Sequence, residues 1–210
     1  AQADYQGNSR LNVLRFEDGV VKGSNPFAVV LMNQVLGQEN IMVATPADLG
    51  KIAKIGALDL REHYEDAALV LRNIDNPNAY LARNLQEQIS ARGEVQYPVM
   101  IPLIGLDLIN DQDSEYWLAF KLKDDAKLIY APQLSHINNN IRFSYTNEQG
   151  LPVFDKNGSK TLYTRDSGLS GLYLDRYLDL DSNRDNLDYS DSNGRVVVVS
   201  GEATSKNFDK

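Results

Sequence analysis

The 210-residue chain has no cysteine, so disulfides, zinc–thiolate sites and thiol nucleophiles are all excluded. Long hydrophobic runs are missing too. Residues 27–36 and 99–109 are the longest apolar stretches, and polar residues, glycine or proline interrupt both. Neither approaches the roughly 20 residues a membrane-spanning helix requires, so we expect a soluble protein. Only two histidines occur, His63 and His136, with no His-Glu-x-x-His pattern and no pair at metal-binding spacing. Walker, Gly-x-Gly-x-x-Gly and Gly-x-Ser-x-Gly sequences are also missing. Basic runs are lacking, and 29 acidic against 21 basic residues leave a net charge of -8. A negative surface repels nucleic acid and anionic membranes, which argues against either as the main partner. The lack of cysteine and the start Ala1-Gln2-Ala3-Asp4, without methionine, lead to the expectation of an extracytoplasmic protein, whether secreted, periplasmic or borne on a particle surface. A trimmed chain would explain the same start.

What is present reads as two halves. Residues 11–16 alternate apolar and polar positions and run into Glu17-Asp18-Gly19 and Val20-Val21, a short hairpin pattern. Ser24-Asn25-Pro26 supplies an N-cap and a first-turn proline for a helix over 27–36, stopped by Gly37. Thr45 and Asp48 form a near capping box for a second helix. From Asp59, the positions Leu60, Tyr64, Ala67, Ala68 and Leu71 recur at helical steps. Residues 78–91 repeat Leu81, Leu85 and Ile89 every fourth position before Gly93.

Beyond Gly93 the period becomes two. Strands are expected within 97–109, at 115–123 with a partner at 126–130 across Asp124-Asp125, and at 141–146, 151–154 and 161–164. Asn147 to Gly150 and Lys156-Asn157-Gly158 mark turns, and Asn193-Gly194 predicts a hairpin linking 187–189 to 196–199. Gly168-Leu169-Ser170-Gly171 is read as a link between strands. The fold class predicted is α+β, with an N-terminal hairpin and two to three amphipathic helices packed on a mainly antiparallel β-sandwich or partly closed barrel. One domain is expected over 1–210, helix-rich over 1–93 and β-rich over 94–210. A helical subdomain beside a β-sandwich is the alternative.

The most distinctive chemistry lies at 179–188. Asp179, Asp181, Asn183 and Asp185 alternate, with Asp188 just beyond, and oxygen ligands at alternate loop positions can converge on calcium. The stretch resembles the start of an EF-hand loop but departs from it. Counting from Asp179, the glycine position holds Arg184 and the twelfth holds Ser190. The spacing therefore points to a loose loop-type calcium site, against the alternative of a solvated turn rich in Asp and Asn.

Catalytic sets are thinner. His63, Asp107 and Ser167 follow the chain order of a nucleophilic triad, but a surface histidine and a turn serine explain them as well. Carboxylates at Asp107, Asp111 and Asp113 could serve a hydrolase only if two of them flank a cleft at about 5–10 Å. Eleven tyrosines and Trp117 supply stacking surfaces for a sugar or a protein, although half of any strand faces the core. The reading that follows is a non-catalytic structural or binding subunit of an extracellular or particle surface, calcium-stabilised, with a protein or glycan partner or a second copy of itself. The alternatives are an extracytoplasmic hydrolase of glycans or esters, using carboxylates in a β-sheet cleft, and a calcium-dependent carbohydrate-binding module.

Overall fold

A computed structural model describes residues 9–11, 14–17, 20–190 and 193–200. In chain order, the described residues form β1 (Arg15–Glu17), β2 (Val20–Lys22), α1 (Pro26–Leu36), β3 (Ile41–Val43), α2 (Pro46–Ile55), β4 (Glu65–Leu71) and α3 (Ala79–Ser90). The second half adds β5 (Val99–Pro102), β6 (Leu106–Asn110), β7 (Leu118–Leu122), β8 (Ile129–Tyr130), β9 (Ile141–Thr146) and β10 (Pro152–Phe154). It ends with β11 (Lys160–Tyr163), β12 (Leu169–Leu174), β13 (Leu180–Asp181) and β14 (Val198–Ser200). Eight of these strands make one curled half-barrel, ordered β10-β9-β11-β13-β12-β4-β5-β8, and the three helices pack on it. All its pairs are antiparallel except β11 with β13. The α+β expectation holds, with a partly closed sheet instead of a sandwich. Among the described residues no helix is long and apolar enough to cross a membrane.

Local signals act where expected. Asn25 caps α1 by accepting the Ala28 N–H at 2.8 Å, and Pro26 opens the helix. Thr45 and Asp48 close a reciprocal capping box on α2, so two of the helix's orphan N–H groups are satisfied. β1 and β2 form the N-terminal hairpin, whose turn at 18–19 lies outside the described residues. Asn147 to Gly150 turns β9 into β10, with Gly150 in the left-handed region at φ 82°.

The segment from Asp59 is a correction. In place of a helix through 71, Glu65–Leu71 is β4, a strand buried along its whole length. Its Leu69 and Leu71 enter the core under α1 and α3 with Phe27, Leu85 and Phe120, where Phe27 stacks on Phe120 at 4.8 Å. Ala68 and Val70 enter the opposite core with Leu49 of α2, Met100, Phe143 and Leu172. A strand covered on both faces needs no polar positions, so its sequence does not alternate.

Pairings in the second half also differ from the sequence reading. A 3-10 turn at Leu103–Gly105 splits the apolar stretch after 97 into β5 and β6. β7 pairs with β6, and β8 joins β5, so no hairpin forms across Asp124-Asp125. Asn157-Gly158 is not a hairpin turn, because β10 and β11 flank β9 on opposite sides. A side chain at Gly158 would strike the Phe143 carbonyl, so this crossing needs the bare backbone. Of residues 168–171, read as lying between strands, 169–171 belong to β12 (Leu169–Leu174), the antiparallel neighbour of β4. Finally, β14 pairs with β3, not with 187–189, which form no strand; of that turn, 191–192 lie outside the described residues.

Both edges of the half-barrel are short. β10 has three residues and starts at Pro152, while β8 has two and is followed by Pro132. Short, proline-bearing edges resist strand addition.

Candidate functional site

The acidic segment after β12 is the natural place to look for chemistry, and every residue singled out there has a protein partner. Asp179 accepts the Thr161 N–H at 2.6 Å and donates its own N–H to Asp175 at 2.9 Å. Asp181 accepts the Tyr173 hydroxyl at 2.8 Å and the Asn183 N–H at 2.7 Å. The Asn183 carbonyl accepts from Arg165 at 2.9 Å, and the Asp185 carboxylate lies 3.9 Å from the same guanidinium. Asp188 pairs with Arg10 at 2.9 Å. Asp179 and Asp181 come close enough to Asp175 to feel its charge, and both titrate above the ordinary carboxylate range, chiefly through burial. Asp185 and Asp188 turn to other partners. Among the described residues no three Asp, Glu or His groups converge at a spacing that holds a metal ion.

The segment instead encloses a cation of its own. Arg184, standing where an EF-hand would need glycine, lies 4.1 Å from the Tyr173 ring centre, 4.9 Å from Tyr64 and 5.1 Å from Tyr189. Burial pulls its pKa down, but Asp66, Tyr173 and Tyr64 outweigh that and hold it above its ordinary value. The faces of three phenol rings and a nearby carboxylate make a cation–π seat for the guanidinium. Asp66 in turn accepts the Ser24 hydroxyl at 2.6 Å.

Next to this seat, residues 193–200 strap the N-terminal strands to β4. Gly23 N–H donates to the Gly194 carbonyl at 2.6 Å, Arg195 N–H to Tyr64 at 3.1 Å, and Ala44 N–H to Val197 at 2.8 Å. Gly194 is required, because a Cβ there would lie 2.7 Å from both Ser24 N and the Tyr64 ring. Arg195 then reaches Glu65 at 2.5 Å and the Asp59 carbonyl at 2.7 Å. Glu65 is 2% exposed, and its second oxygen has no hydrogen-bond partner. Burial pushes its pKa from an ordinary 4.5 to about 7, with Asp66 adding to the rise and Arg195 only partly opposing it.

A second buried cation sits past the end of β4. Arg72 donates to Ser170 at 2.9 Å, to Thr164 and Ser182 hydroxyls at 2.7 Å each, and to the Leu134 carbonyl at 3.3 Å. No carboxylate bonds to it among the described residues, and burial lowers its pKa to about 9. This hub ties β4 to β12 and to the chain following β11 and β13. Sequence reasoning missed it, since nothing local distinguishes Arg72 from a surface arginine.

The remaining candidates are dispersed. His63 Nδ1 lies 3.2 Å from the Asn193 carbonyl, Ser167 donates to the Asn76 carbonyl at 2.8 Å, and Asp107 sits 3.7 Å from Lys123, so the three triad residues point to separate partners. Asp107 and Asp111 are four residues apart along an extended strand, about 13 Å, which exceeds the glycosidase spacing. A cavity between α2 and the sheet, lined by Leu49, Gly50, Phe143, Leu172 and Leu178, holds about 20 Å³. That admits a water-sized group but not a sugar ring. Of the aromatic residues, Tyr116 is core, Tyr173 serves Arg184, and Tyr130, Tyr145, Tyr177 and Trp117 are exposed on four separate elements or turns. No protein-family model, curated protein or solved structure matched the chain.

Proposed function

We propose that the protein is a non-catalytic binding or structural subunit that works at an extracellular or particle surface and associates with further copies of itself. The observation that carries this reading is the apolar exposure around β9 and β10. Ile137 is 73% exposed just before β9, and Ile141 and Tyr145 of β9 and Phe154 of the edge strand β10 are partly exposed as well. Large apolar side chains gathered on neighbouring elements mark interaction surfaces more often than solvent-facing ones. The charged groups of the C-terminal segment, by contrast, are engaged in holding the fold together. A chain without cysteine is also indifferent to an oxidising exterior.

Light scattering coupled to size exclusion tests it. The protein is expected to associate into a defined oligomer at high micromolar concentration, and Ile137→Lys combined with Phe154→Lys to return it to monomer with an unchanged melting temperature. A wild-type chain that stays monomeric throughout would overturn the reading.

Calcium stabilisation is a second element of the proposal. Asp175 adds charge repulsion to Asp179 and Asp181, smaller than the effect of burial. A cation drawing these carboxylates closer together than the spacing described above would relieve it. Millimolar calcium is expected to raise the melting temperature relative to chelator, and Asp179→Asn with Asp181→Asn to abolish the difference. Identical melts in calcium and chelator would dismiss it.

A further inference from the structure

The turn between β6 and β7 displays the chain's one tryptophan. Trp117 is 61% exposed, and among the described residues its ring makes no aromatic or cation–π contact. Its two neighbours, Tyr116 and Leu118, are core residues, while Trp117 stands in the turn just before β7. The turn that carries it is well braced. Asp111 N–H donates to the Trp117 carbonyl at 3.1 Å, and Trp117 N–H to Ser114 at 2.9 Å. The Asp111 carboxylate accepts the Asp113 N–H at 3.0 Å and the Tyr80 hydroxyl at 2.9 Å. Trp117 itself adopts φ 58°, a left-handed conformation, within this bracing.

The surroundings are negative. Asp113 and Glu115 precede Trp117 in the same turn, both exposed, and their carboxylates accept no hydrogen bond among the described residues. Two phenols nearby register the same field. Tyr80 titrates high through its bond to Asp111, with Asp113 and Glu87 adding to it. Tyr116 does so through burial first, then through Glu115, Asp188 and Asp185. Arg10, the cation beside this turn, is engaged within the fold: it pairs with Asp188 at 2.9 Å, lies over the Tyr116 ring at 5.6 Å and donates to the Glu115 carbonyl at 3.3 Å.

We infer that Trp117, with Asp113 and Glu115, docks an arginine- or lysine-rich segment of a protein partner. An indole face is the strongest cation–π acceptor among side chains, and exposed carboxylates in the same turn complement a guanidinium or ammonium. A net charge of -8 steers basic segments toward the surface. A sugar would also stack on an exposed indole and donate its hydroxyls to carboxylates, but being neutral it gains no charge attraction from Asp113 and Glu115. This surface is distinct from the β9–β10 edge, so the inference stands or falls separately from self-association.

Trp117 is also the reporter, because it alone supplies indole fluorescence. Titrating hexa-arginine peptide into the full chain is expected to change its emission saturably, weakening as salt is added. By calorimetry, Trp117→Leu and the pair Asp113→Asn with Glu115→Gln should each weaken binding about tenfold with melting temperatures unchanged. No saturable change with hexa-arginine, or affinity indifferent to these substitutions, would overturn the inference. So would saturation by a neutral cello-oligosaccharide in place of the peptide.

Discussion

Arg195→Ala is expected to cost about 3–5 kcal/mol at pH 8, because it strands Glu65 as a buried charge without its partner. The effect should shrink sharply at pH 5. Glu65 has a folded-state pKa near 7 against an ordinary 4.5, so between those values the folded chain holds more protons than the unfolded one. Stability from this group is therefore fully present below about 4.5 and is lost as pH rises through 7. Removing Arg195 raises the carboxyl further and extends the slope upward. Glu65→Gln removes the titration, and its difference from wild type isolates this residue from Asp179 and Asp181, whose raised pKa values act in the same direction. Urea unfolding at pH 5 and pH 8 decides the matter. An Arg195→Ala penalty that is the same at both pH values would show that the ion pair is not what holds the strap.

Arg72→Ala should be as damaging, about 3–5 kcal/mol, for a different reason. It leaves a cavity and removes the common donor from Ser170, Thr164, Ser182 and Leu134, which lie on separate parts of the chain. Arg72→Met separates the two causes. Methionine fills most of the space and removes an uncompensated buried charge, while the Thr164 and Ser170 hydroxyls still donate to the Leu134 and Ser182 carbonyls at 2.7 Å each. A loss of about 1–2 kcal/mol is expected for methionine. If alanine too costs less than about 1 kcal/mol, the hub contributes little to stability.

How much of this was legible in the sequence depended on range. The Thr45–Asp48 capping box and the Asn147 to Gly150 turn are made by residues three or four apart, and both formed as read. β4 was misread because its apolar residues face two cores, under α1 with α3 and under α2, and a strand buried on both faces loses the alternation that would reveal it. Asn193-Gly194 has hairpin chemistry, yet Val198–Ser200 pairs with Ile41–Val43, more than 150 residues upstream. Turn propensity is worth less than the apolar surface that the strap covers there. Asn78, read as the start of α3, lies at φ 60° and makes no side-chain cap. Its amide instead bonds Leu169, Asp185 and Tyr116, each at 2.7 Å.

The candidate site divides the same way. Composition pointed to residues 179–188, and these do lie in a partly buried, polar segment. Which of them meet was decided by the strands that carry their partners. Tyr64 and Tyr173 seat Arg184 only because β4 and β12 are neighbours in the sheet, and Arg195 reaches Glu65 only because the chain returns to pair with β3.

Taken alone, the order of residues settled the acidic composition, the caps of α1 and α2 and the Asn147 to Gly150 turn, the last two because their partners lie within one turn of chain. Strand order, the two buried cations and the outward tryptophan came only with tertiary structure. Their partners lie tens of residues away, and sheet pairing is selected by total burial, not by any local preference.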